Sequence, residues 1–187
     1  MRKNIFISLI VMNLFLLGTA IYGKEIKNFY KVSEEVYRSA QPDRKDMKKI
    51  ENMGIKTVLS LREYNDDKDE AKDTKLILKH VKMNAGKIKD KEIIETLKII
   101  KNSDKPILVH CWHGSDRTGV VVAMYRIVFQ NVSKEKAIEE LKDKKYGYHA
   151  AIYGNIEKYI RECNIENIRI ELENDKRSCN IAHGRRK

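Results

Sequence analysis

Residues 106–130 read "PILVHCWHGSDRTGVVVAMYRIVFQ" and join three pieces of different character. Ile107, Leu108 and Val109 form a short continuous aliphatic run, the pattern of a strand buried on both faces. From Arg117 to Gln130 the chain is apolar nearly all round, which predicts a helix inside the core. Between them lie Cys111, Gly114, Asp116, Arg117 and Gly119. A buried strand that turns through such a loop into a buried helix places the loop at a strand's carboxyl end, where ligands bind in open α/β sheets.

Outward from this stretch, strands and helices alternate. "NFYKV" (28–32) and "EVYRSA" (35–40) read as short strands, and 41–54 as a helix with a proline near its first turn and Gly54 just past its end. "IKTVLSL" (55–61) is a second buried strand, 66–76 a charged helix, "ILKHVKM" (77–83) a strand, and 90–103 an amphipathic helix with Ile93, Ile94, Leu97 and Ile100 on one stripe. Two helices follow the central one, 133–145 with Ser133 as N-cap and 151–163. Residues 164–187 are less patterned and are expected to form a short strand and a loose tail. The alternation predicts an α/β fold with a mostly parallel central sheet flanked by helices.

The loop residues have separable chemical uses. A thiol attacks only as thiolate, and helix N-terminal amides together with a guanidinium favour that form. Cys111 is therefore the candidate nucleophile. The backbone amides of 112–117 can curl into an anion nest built from Trp112, His113, Gly114, Ser115 and the residues that follow. Arg117 offers paired donors to two phosphate oxygens and to the charge that spreads over them in a transition state. Thr118 can donate its hydroxyl to the sulfur, and His110 can order the loop through a backbone hydrogen bond. Departure of an alkoxide or phenoxide also needs a proton donor. Asp116, beside Arg117, is the first candidate; Asp90, where the N-cap of a helix is expected, is the second.

Composition sets the frame. The chain of 187 residues carries 38 lysines and arginines against 27 acids, a formal charge of +11. That balance favours acidic ligands, but the lysines are interleaved with acids along exposed helix faces rather than clustered, so no nucleic-acid partner is expected. The first 23 residues, basic "MRKN" followed by the apolar "IFISLIVMNLFLLG", read as a cleaved signal peptide. The apolar run is shorter than the ~20 residues of a membrane span. Loss of Arg2 and Lys3 would lower the charge to +9, and the mature chain is expected in a periplasm or outside the cell. Of the three cysteines, Cys163 and Cys179 could pair in an oxidising compartment, leaving Cys111 free; Cys163 also suits a buried free thiol.

"HCWHGSDRTG" resembles the H-C-x5-R-[S/T]-G signature of the cysteine-dependent protein tyrosine and dual-specificity phosphatases, most of all the small atypical bacterial ones. The similarity extends to "VYRSAQP", "GIKTVLSLR" and "YGYHAAIYGNIEKYIREC", roughly residues 28–163 of a domain spanning 24–163. It implies a protein tyrosine phosphatase-like fold, a phosphocysteine intermediate at Cys111, phosphate binding by Arg117 and the loop amides, and neither cofactor nor metal. In better-known members the acid comes from a loop about thirty residues before the cysteine; the matching segment here, "MNAGK", has none. Asp116 instead matches an aspartate before the arginine in myotubularins, Sac-type phosphoinositide phosphatases and some secreted bacterial tyrosine phosphatases.

The resemblance implies a substrate that is a phosphorylated protein, with phosphoinositides or inositol polyphosphates as the alternative. Trp112 and His113 would shape the pocket mouth or pack on a neighbour. Arg38 is expected to tie the N-terminal strand to the sheet by a salt bridge, with reach into the site as the alternative, and His149 resembles a position near the pocket in similar proteins, with a hydrogen-bonded structural histidine as the alternative. A rhodanese-like sulfurtransferase is disfavoured by Arg117, Thr118 and Gly119. A non-catalytic phospholigand module typically lacks the cysteine or the arginine, and both are present. Nothing in the sequence speaks to oligomeric state.

Overall fold

The computed structural model describes residues 25–184, with side chains through residue 174. The expected signal peptide lies outside the described residues, and so does the Cys179 side chain. Five strands, β1 (Tyr30–Lys31), β2 (Val36–Ser39), β3 (Thr57–Ser60), β4 (Ile77–His80) and β5 (Ile107–His110), form one sheet in the order β1-β2-β5-β3-β4. Only β1 runs antiparallel to its neighbour; the other pairs are parallel. β5, last in sequence, is central in space. The register aligns Ser39 with His110, His110 with Ser60 and Ser60 with His80, so four strands reach their carboxyl edge together.

The aliphatic runs occupy the middle of the sheet because both its faces are covered. Every residue of β3 and β5 is buried, whereas the edge strand β4 alternates between exposed and half-buried positions. Alternate residues feed opposite layers, as the two-residue period requires. Ile107 and Val109 join Leu59 in the larger core, while Leu108 and Val58 join the smaller. The smaller layer holds α1 (Arg44–Asn52), through Met47 and Ile50, and α2 (Lys68–Ala71), through Ala71. The larger holds α3 (Asp90–Asn102), α4 (Asp116–Gln130), α5 (Lys134–Leu141), α6 (Ala150–Glu162) and α7 (Ile165–Gly184). α4 is buried along nearly its whole length because α3, α5, α6 and α7 all pack around it.

Local signals start two of the helices close to where expected. Asp43 and Asp46 form a reciprocal capping box at the start of α1, and Ser133 accepts from the Lys136 amide at the start of α5. Three expectations are corrected. The helix expected over 133–145 ends at Leu141, and a separate turn of 3-10 helix at Lys144–Tyr146, capped by Asp143, follows it. The charged segment 66–76 has only one helical turn, because Asp67 takes a left-handed conformation before it and the Thr74 hydroxyl bonds the Ala71 carbonyl after it. The expected strand and loose tail after Cys163 are the helix α7, which buries Ile168 and Leu172 in the larger core. The packed domain therefore continues past residue 163. Among the described residues Cys163 has no disulfide partner; it packs near Met124, with its Sγ 4.0 Å from the thioether, and burial pushes its pKa up.

Candidate active site

Cys111 follows β5 directly and is 2% exposed. The chain then turns through Gly114, at φ +74°, into the first turn of α4. A Cβ on Gly114 would stand 2.5 Å from the Ser39 backbone, so glycine is required both by conformation and by the close approach of β2. Among the described residues, the amides of 112 to 115 donate to no backbone carbonyl, which leaves them free for an anion. Arg117, on the first turn of α4, donates to the carbonyls of Leu61 at 3.3 Å and Met83 at 3.5 Å, just past β3 and β4. Its guanidinium thus spans the carboxyl edge beside Cys111. Among the described residues the Thr118 hydroxyl is buried without a hydrogen-bond partner, and Ser115 is buried against the loop with its hydroxyl near the His113 carbonyl.

Two sets of contacts brace this loop, and sequence reading missed most of their members. Behind it, the Arg38 guanidinium donates to the Gly114 carbonyl at 2.7 Å and lies 3.9 Å over the Tyr146 ring. Burial lowers the Arg38 pKa from its ordinary value. The expected salt bridge of Arg38 is therefore replaced by a direct hold on the loop. Asn28 adds hydrogen bonds to the carbonyls of His113 and Tyr146. On the other side, His110 Nε2 meets the Asp67 carboxylate at 2.6 Å, with both side chains at most 1% exposed. The second Asp67 oxygen accepts from Gln41, whose side-chain oxygen accepts from Arg62, and Arg62 lies 4.2 Å over the Trp112 ring. The Gln41 amide also donates to the Trp112 carbonyl. No local pattern marks Asp67; a left-handed aspartate between charged neighbours reads as surface.

The mouth is a cleft of about 360 Å³ lined by Arg62, Glu63, Tyr64, Trp112 and Arg117. Trp112 is 52% and Tyr64 93% exposed, so both rings are available to a substrate. His113 is exposed, with its ring 5.3 Å from that of His149; burial first, and the nearby His149 next, lower its pKa. Asp116 is buried beside them. Its Oδ1 accepts from the His149 amide at 3.0 Å, and its Oδ2 lies 2.9 Å from His149 Nδ1. Asp90 is the first residue of α3, one position past the N-cap Lys89, and accepts from the Tyr159 hydroxyl at 2.7 Å. Burial and that carboxylate push the Tyr159 pKa up.

Holding a tetrahedral dianion against a thiol is what the cysteine-dependent phosphatases do, and fold and loop together place the chain in that class of hydrolases. The tyrosine phosphatase family model matches residues 25–182, and the chain belongs to that family. Among curated proteins it is similar to the dual specificity protein phosphatase TpbA of Pseudomonas aeruginosa, with 27% identity over 181 residues, covering 88% of this chain and 82% of that protein. The crystal structure of TpbA superposes with a TM-score of 0.72 at 28% identity, covering 79% of this chain and 91% of TpbA. A cysteine-to-serine variant of TpbA in complex with pTyr gives the same values. The core catalytic domain of the PP-IP phosphatase Siw14 from S. cerevisiae, in complex with citrate, has a TM-score of 0.67 at 28% identity, covering 80% of this chain and 94% of that one.

Proposed function

We propose that this phosphatase hydrolyses phosphotyrosine and phosphoserine or phosphothreonine esters in proteins through a phosphocysteine at Cys111. The observation that carries the reading is the loop itself: a buried thiol and free amides follow β5, and an arginine from the same loop lies along the same carboxyl edge of the sheet. The thiolate attacks phosphorus in line, forming the S–P bond as the ester P–O bond breaks. The departing oxygen takes its proton from Asp116, which His149 holds in place through its amide and its ring. Arg117 and the amides of Trp112, His113, Gly114 and Ser115 carry the charge of the transferring group. Water then attacks phosphorus, giving a proton back to the Asp116 carboxylate, the S–P bond breaks, and Thr118 donates to the thiolate that leaves.

The exposed rings of Trp112 and Tyr64 that line the cleft suit an aryl ester, and TpbA has been crystallised with pTyr. The likeness to the PP-IP phosphatase Siw14, with the chain's positive charge, supports inositol polyphosphates as the second reading. The first residues support export to a periplasm or the medium, and no helix among the described residues is long and apolar enough to cross a membrane.

The test is phosphate release, with chelator present, from phosphotyrosine and phosphothreonine peptides, phosphoinositides and inositol hexakisphosphate. Preference for the peptides is expected; preference for the inositol compounds would move the assignment to the second reading. Cys111→Ser should abolish turnover while leaving binding of a phosphate analogue largely intact, because the nest is backbone. Turnover retained by that variant would refute the covalent step.

A further inference from the structure

Three potential metal-binding side chains meet at the rim of the loop. Donor atoms of His113, Asp116 and His149 all lie within 4.8 Å of one another. Two come from the loop itself and the third from the connection before α6, so the cluster bridges parts of the chain that no covalent link holds together. One pair, His149 Nδ1 and Asp116 Oδ2, is 2.9 Å apart. Ion–ligand distances of about 2.0–2.2 Å put two donors on one ion roughly 3 to 3.5 Å apart. That pair therefore already has nearly the spacing of two ligands on one ion. His113 is exposed, so its ring can rotate toward the pair to complete the set.

From this geometry we propose that His113, Asp116 and His149 form an inhibitory site for a divalent transition-metal ion of the Zn²⁺ class. Two imidazoles and one carboxylate suit such an ion rather than Mg²⁺ or Ca²⁺, which take oxygen donors. Asp116 is fixed in advance, with its side chain only 7% exposed and Oδ1 held by the His149 amide. Lys27 and Arg117 are close enough to act electrostatically on His113 and weaken the site without occupying it. The ion takes the place of the contact between His149 Nδ1 and Asp116 Oδ2. A coordinated Asp116 carries no proton for the leaving group, so the ion slows esters with poor leaving groups most. This inhibition rests on the reading of Asp116 as the acid; binding of the ion does not.

The test uses the full chain carrying Cys111→Ser, so that the thiolate is not a competing ligand. Co²⁺ is titrated with its visible absorption as the readout, and Zn²⁺ binding is measured by equilibrium dialysis. Saturable binding of one ion per chain is expected, weakened at least ten-fold by His149→Ala and, independently, by His113→Ala. Loss of saturable binding in the Cys111→Ser chain, or unchanged affinity in both histidine variants, would overturn the site. In the Cys111-intact enzyme, Zn²⁺ should slow an alkyl phosphate more than an activated aryl phosphate, with chelator restoring both. Equal inhibition of the two esters alongside intact binding would refute the link to Asp116 while leaving the ion site standing.

Discussion

Alanine at Gly114 would place its Cβ 2.5 Å from the carbonyl carbon and oxygen of Ser39 and 2.6 Å from the Ala40 nitrogen. All three are backbone atoms of the strand end beside the loop, so no side chain can swing away. The residue also has φ +74°, where a Cβ costs about 1–2 kcal/mol. Overpacking of a rigid neighbour adds about 1–3 kcal/mol. Together the substitution should cost about 2–5 kcal/mol, a large share of a typical domain's stability. Gly54 separates the two contributions, since it has φ +86° but a Cβ there would meet nothing within 4 Å. Gly54→Ala should therefore cost only the conformational part. At about 2–4 °C per kcal/mol for a chain of this size, its melting temperature should fall by roughly 2–8 °C, and that of Gly114→Ala by roughly 4–20 °C. The loop can relieve the clash only by retreating from β2, and a shift of about 1 Å in a reacting group costs on the order of 100-fold in rate. Thermal unfolding by circular dichroism and kcat/KM toward an aryl phosphate measure both effects. If Gly114→Ala melts with Gly54→Ala and keeps kcat/KM within about three-fold, the close approach of β2 does not shape the loop.

Asp67→Ala removes the partner of buried His110 and of Gln41, and should lower stability in urea denaturation by about 3 kcal/mol, with a fall in kcat as the loop loses its brace. A loss below about 1 kcal/mol would show that the pair does not hold the loop. Asp116→Asn should slow alkyl phosphates far more than an activated aryl phosphate, which needs no proton on its leaving group. Equal losses on both esters would leave Asp116 a purely structural partner of His149.

Much of the architecture is legible in the chain's local patterns. The aliphatic runs of β3 and β5 and the all-round apolar α4 announce a sheet covered on both faces, and the loop between β5 and α4 is contiguous in sequence. Cys111, Arg117 and Thr118 can therefore be read together. Where local patterns are weak the reading fails: α2 shrinks to one turn and the tail becomes α7, because the burial of Ile168 and Leu172 is created by helices that pack there, not by a strong period.

The candidate nucleophile, the proposed anion-binding loop and the alternation of elements are written in the chain itself, since each depends on residues within one turn or one strand of each other. How that loop is held, and where its carboxylate points, is settled only in three dimensions. His110 meets Asp67 across 43 positions, Arg38 reaches Gly114 across 76, and His149 takes both oxygens of Asp116 across 33. Such pairings follow from β5 entering the sheet between β2 and β3, an order set by how the crossovers bury the two cores, and no periodicity along the chain encodes it.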